Sequence, residues 1–117
     1  MTLLPLPEGA WWEWEVRGFD GSRLTLVAGY DLAYHHGLEV ELTDTVYVRC
    51  PTAFTEPVFR EPTPGERAEV ARITGEEPPV LLAFEADGGG TAPVSCLVAA
   101  GAWALRQGHF PRWRGRT

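Results

Sequence analysis

The residues of this chain whose type and spacing bear on chemistry are few. They are His35-His36, Cys50 and Cys96, the glycine run Asp87-Gly88-Gly89-Gly90-Thr91, and the carboxylate pairs Glu13 with Glu15, Glu39 with Glu41 and Glu76 with Glu77. Neighbouring histidines suggest a metal, with Asp31, Glu39 or Cys50 to complete the ligand set. Adjacent residues on a strand point to opposite faces, so both imidazoles reach one ion only from a loop. No Cys-x-x-Cys, His-x-x-x-His or His-Glu-x-x-His spacing occurs, and those spacings are what place two ligands on one side of an element. Two loop histidines, with no metal and no cofactor, are the expectation.

A cysteine nucleophile would take His35, His36 or His109 as its base, but no local motif surrounds Cys50 or Cys96. Each falls near the end of an expected strand, where a thiol behaves as a small apolar side chain. Two cysteines also permit a disulfide, although in a cytosolic chain they are expected to be reduced. The glycine run lacks the Lys and Ser/Thr of a phosphate-binding loop, and Asp87 repels phosphate, so a hairpin loop is expected there. Alternation along a strand puts both acids of a pair such as Glu13 and Glu15 on one face. That could arrange acid and base groups for a hydrolase, and it is equally what a solvated sheet face requires.

The elements that hold these residues can be read from periodicity. Trp12 to Arg17 alternates apolar and charged residues, Asp20-Gly21 favours a tight turn, and Arg23 to Ala28 is the return strand. Leu38, Val40 and Leu42 alternate with Glu39 and Glu41, which predicts a strand with Glu39 and Glu41 outward. Thr43-Asp44 would then turn the chain into a second hairpin returning through Thr45–Cys50. Residues 51 to 64 contain Pro51, Pro57, Pro62 and Pro64; proline donates no ladder hydrogen bond, so an extended surface segment is expected rather than a central strand. Thr63-Pro64-Gly65-Glu66 has the form of a capping box, and Gly75 with Pro78-Pro79 ends the helix near Thr74. Val80 to Ala86 reads as a strand buried on both faces, and Val94 to Ala99 as another. Beyond Gly101, Ala102 to Leu105 fits a short strand or a helical turn. The expected fold is α+β with a mostly antiparallel β-sheet: two N-terminal hairpins, one short helix near 64–74, then two or three further strands, in the order ββββαββ.

The 117 residues, 44% hydrophobic and 22% charged, suit one small globular domain over 1–117. No run approaches the roughly 18 apolar residues of a membrane helix, and Met1–Pro7 lacks the pattern of a secretory signal, so a cytoplasmic protein is expected. All ten basic residues are Arg, with no Lys, no Asn and a single Ile, Ile73. That bias fits a GC-rich coding sequence, and bacterial origin is the expectation from it. Net charge is −6; residues 106 to 117 form a basic C-terminal tail with Arg106, Arg112, Arg114 and Arg116 and no acid, leaving the rest at −10. Arg interleaved with aromatics superficially suits single-stranded nucleic acid. A body this acidic makes nucleic acid an unfavoured partner, and the tail is expected to fold back on it or to fray.

Of the five tryptophans, alternation puts Trp12 and Trp14 in the core and leaves Trp11 as an exposed anchor. These features favour a non-enzymatic interaction protein that binds a protein with a basic surface through Trp11, Glu13, Glu15, Glu39 and Glu41. A bacterial immunity or antitoxin protein masking a toxin is the expected form, by analogy of size and charge. The alternatives are a small-ligand-binding domain or enzyme with a pocket near Tyr34, His35, His36 and Tyr47, and an accessory subunit docking through a sheet edge or segment 51–64.

Overall fold

The computed structural model describes residues 5–7, 11–29, 32–33 and 35–111. The chain is α+β and dominated by antiparallel sheet, as its periodicity predicts. Its elements are β1 (Glu13–Asp20), β2 (Arg23–Gly29), β3 (His35–Thr43), β4 (Tyr47–Arg49), β5 (Ala53–Arg60), α1 (Pro64–Thr74), β6 (Val80–Asp87), β7 (Val94–Ala100) and β8 (Ala102–Pro111). Five strands precede the helix and three follow it, which corrects the expected order ββββαββ.

The strands pair in the order β4-β7-β6-β5-β1-β2-β3-β8. Only Asp44–Val46 separate β3 from β4, and only Gly101 separates β7 from β8. Across this corner Val46 N donates to Ala99 O and Gly101 N donates to Thr43 O, each at 2.9 Å. The bent path β3–β4 therefore pairs along its length with the bent path β7–β8, and the pairing of β5 with β1 completes a ring. The result is a closed antiparallel barrel of six paths, β1, β2, β3–β4, β7–β8, β6 and β5. Among the described residues, strand β8 pairs with β3 alone, so its other edge stays open beyond the closed ring.

The first hairpin forms as expected, with Asp20 opposite Arg23 and Gly21 at φ +64° in a two-residue turn. The expected second hairpin does not form. Asp44 adopts φ +53°, a conformation that short polar side chains tolerate, and it turns the chain through the corner so that β4 pairs with β7 instead of β3. Nor is segment 51–64 a surface strap: β5 lies between β1 and β6. Its pairing with β6 slips between Thr55 and Val58, with Glu56 at φ +52° and Pro57 inside the irregularity, so the missing proline donor is not required of a regular ladder. The stretch after Gly101 is a ten-residue strand. Residues 106–111 of the expected tail belong to β8 and pair with β3, while 112–117 lie outside the described residues.

Inward residues from every path meet in one core that includes Trp14, Leu26, Val40, Phe54, Phe84 and Val98. The Trp14 ring lies 6.0 Å from Phe54 and 5.5 Å from Phe59. A second cluster sits outside the barrel wall, where Val70 of α1 is fully buried against Leu81, Ala83, Leu97 and Ala99. Strands β6 and β7 are thus covered on both faces, as the apolar run Val80–Ala86 predicts.

The helix occupies the expected residues for the expected reasons. Glu66 N donates to Thr63 Oγ1 at 3.1 Å, Thr63 N donates to Glu66 Oε1 at 2.9 Å, and Gly75 at φ +92° closes the end. Arg60 fastens this helix start to the sheet. Its guanidinium donates to both Glu66 carboxylate oxygens at 2.8 and 2.9 Å, to Glu85 Oε2 at 2.8 Å and to Ser95 Oγ at 3.1 Å. The Arg60 hydrogen bonds hold the Glu66 carboxyl down at about 2 against the opposing effect of burial, with Thr63 N–H contributing.

Candidate functional site

Strand register, invisible in the sequence, gathers carboxylates from three strands. Glu13 pairs with Thr55, and Thr55 pairs with Asp87, so β1, β5 and β6 put these three residues in one row. Trp14 and Phe54, the neighbouring pair, point into the core, which directs the row outward. A cleft of about 400 Å³ opens over it, lined by Glu13, Glu15, Leu32, Thr55, Asp87 and Gly89 among others. Leu32 N donates to Glu13 Oε1 at 2.8 Å, and Arg17 Nη2 lies 2.9 Å from Glu15 Oε2. Gly89, at φ +97°, turns back so that its N–H donates to Asp87 Oδ1 at 2.8 Å.

A second cleft, of about 330 Å³, shares Asp87 and is lined further by Glu56, Val58, Glu85, Ala86 and Pro93. Together the two clefts hold Glu13, Glu15, Glu56, Glu85 and Asp87, against which stand Arg17 at Glu15 and Arg60 at Glu85. The half-exposed Trp12 adjoins them: its carbonyl accepts from Glu56 N at 2.8 Å. Volumes of this size accept a side chain or a small ligand. Carboxylates beside apolar walls suit a long basic side chain, whose stem packs on the wall while its head meets the charge.

Several candidates from the sequence lie elsewhere. Trp11, expected to be exposed, is half-buried against the core with its indole N–H donating to Pro7 O at 2.6 Å; Trp12, expected inside, is the exposed ring. The strand begins only at Glu13, so strand alternation does not govern residues 11 and 12. Glu39 faces outward yet is buried, not wet. His36 Nε2 donates to its Oε2 at 2.8 Å, and Arg106 from β8 pairs with its Oε1. Burial pushes the Glu39 carboxyl up, but the His36 and Arg106 hydrogen bonds and their charges outweigh it, leaving the group below the usual carboxylate range. Glu41 is half-buried, 3.6 Å from Arg23 Nε.

Of the four residues expected around a pocket, Tyr34, His35, His36 and Tyr47, three lie among the described residues. His36 is buried and stacks on Phe110 at 4.8 Å, and Arg106 lies over the same ring at 5.5 Å. His35 lies at 4.9 Å from His109 across the β3–β8 pair. Tyr47 packs with the helix cluster around Val70, and Tyr34 lies outside the described residues. A third cavity, of about 270 Å³, lies at the barrel corner beside Asp44, Pro78 and Gly101, and none of the three cavities is lined by His35 or His36.

Sequence reasoning singled out Glu13 and Glu15 but missed Glu56, Glu85 and Asp87. Asp87 reads locally as the start of a hairpin loop, and only the pairing of β5 with β6 brings it to Glu13. No known protein family, curated protein or solved structure matches this chain.

Proposed function

We propose that this protein is a non-enzymatic binding domain that receives an arginine- or lysine-bearing segment of a partner protein in the two clefts flanking Asp87. The observation that carries the reading is the convergence of Glu13, Glu15, Glu56, Glu85 and Asp87, from three strands, on adjoining clefts with apolar walls. Trp12 and Val58, both exposed, supply apolar contact beside the acids, and a tryptophan that a partner covers from water is a frequent anchor of association. A net charge of −6 adds long-range attraction for a basic surface. In its specific form, the proposal is a cytoplasmic bacterial immunity or antitoxin protein that covers a basic site on its target. No helix among the described residues is long and apolar enough to cross a membrane.

The test uses an acetylated arginine-rich peptide as probe and calorimetry at low and raised salt. Asp87→Asn combined with Glu56→Gln is expected to weaken binding about fivefold, each exposed charge being worth ~0.5 kcal/mol. Asp20→Asn, at the exposed end of the β1–β2 hairpin, changes net charge away from the clefts and is expected to leave affinity within twofold. The same loss per charge removed in both variants would reduce the attraction to net charge alone and overturn the site. Indifference to both would overturn the electrostatic reading altogether.

A further inference from the structure

The two cysteines, 46 positions apart in sequence, meet in the barrel. The register of β4 with β7 pairs Tyr47 with Ala99, Val48 with Val98 and Arg49 with Leu97. Cys50 follows β4 directly, at a bend, and Cys96 is the next residue of β7 beyond Leu97, so continuing this register by one step sets Cys50 opposite Cys96. Both belong to the interior cluster that also holds Val48 and Val98, as two-residue steps along each strand require. Directly opposed residues of an antiparallel pair stand about 4.5–5.5 Å apart at Cα, inside the roughly 4.4–6.8 Å that a disulfide spans. Both are free thiols here, Cys96 buried with its Sγ 3.6 Å from Val94 O and Cys50 only half-buried. Negative charge on Cys50 acts on Cys96, an electrostatic contact that the register explains.

We propose that Cys50 and Cys96 form a dithiol–disulfide pair, a modification site at which a low-molecular-weight disulfide oxidises the protein and ties β4 to β7. The more accessible Cys50, as thiolate, attacks the disulfide RSSR, forming a mixed disulfide Cys50–S–SR and releasing one RSH after proton uptake. Cys96 then loses its proton and attacks the Cys50 sulfur, forming Cys50–S–S–Cys96 and releasing the second RSH. The protein gives up two electrons and two protons, and one RSSR becomes two RSH. Burial pushes both thiols up, Cys96 to about 11 with the charges of Cys50 and Glu85 adding and those of Arg49 and Arg60 opposing. Little thiolate is present near neutrality, so exchange is slow and quickens as pH rises.

The experiment treats the folded full-length chain with oxidised glutathione at mildly alkaline pH, quenches with acid, and measures intact mass and non-reduced peptide maps. The parent is expected to lose two hydrogens and yield a cross-linked peptide containing both cysteines, reversed by dithiothreitol. Cys96→Ser, which lacks the resolving thiol, is expected to stop at the glutathione adduct on Cys50. A stable glutathione adduct on the parent without the cross-link would overturn the pairing. So would two thiols that remain unreacted in the folded chain while the guanidinium-unfolded chain reacts.

Discussion

Glu66→Gln separates a charge from a helix cap, because the Glu66 carboxylate does both jobs at once. It accepts Thr63 N at 2.9 Å to close the capping box and binds the Arg60 guanidinium at 2.8 and 2.9 Å. Glutamine keeps an oxygen that can accept the Thr63 N–H and removes the charge. A carboxyl held at about 2 against an ordinary 4.5 corresponds to at most ~3 kcal/mol of native-state stabilisation. The two side chains are 27% and 15% exposed, and solvent screening brings the expectation to ~1–2 kcal/mol. Because the pKa is depressed in the fold, this stabilisation is complete above 4.5 and drains away as pH falls towards 2. Urea unfolding followed by tryptophan fluorescence should therefore show the variant less stable by ~1–2 kcal/mol near neutrality. The two stability curves should converge on acidification through that window. A gap that stays constant with pH would mean that the loss comes from capping or packing. No gap at any pH would mean that the Arg60 pair is fully solvated and does not fasten the helix.

Two further outcomes follow from packing and from the Glu39 cluster. Val70→Ala empties a fully buried position between α1 and the β6–β7 wall. It should cost ~1–2.5 kcal/mol, the transfer term plus a cavity; a loss under ~0.5 kcal/mol in thermal unfolding would show that the helix is not held by this contact. Arg106→Gln removes a hydrogen bond and a charge that oppose the burial of Glu39, so the Glu39 carboxyl should titrate at higher pH than in the parent when followed by carboxyl carbon NMR. An unchanged or lower midpoint would refute the part assigned to Arg106.

The sequence by itself determined the elements whose causes are local. Asp20-Gly21 sets the first hairpin, Thr63 with Glu66 starts the helix, Gly75 stops it, and the run Val80–Ala86 announces a strand covered twice. Each depends on residues within a few positions of one another, through backbone torsion, a side-chain cap or a short periodicity. Local signals failed where a distant partner decides. The prolines of 51–64 argued against a central strand, yet β5 is one, and it keeps its place in the barrel wall by putting Pro57 at an irregularity of its pairing with β6. Alternation correctly turned Glu39 outward. It carried no sign of Arg106, 67 positions away, which arrives on β8 and covers it. Trp11 and Trp12 exchanged their expected roles because strand geometry begins only at Glu13, after both of them.

The candidate site divides in the same way. Glu13 and Glu15 were legible as two acids on one face, because residues two apart on a strand share a side. Their meeting with Asp87 is a matter of register between strands that the helix separates in sequence, and so is the meeting of Cys50 with Cys96. Register is fixed by which distant apolar side chains fill the common core, and for that the barrel had to close: Trp14 beside Phe54, and Phe59 opposite Phe84, set the alignment that carries the acids outside with them.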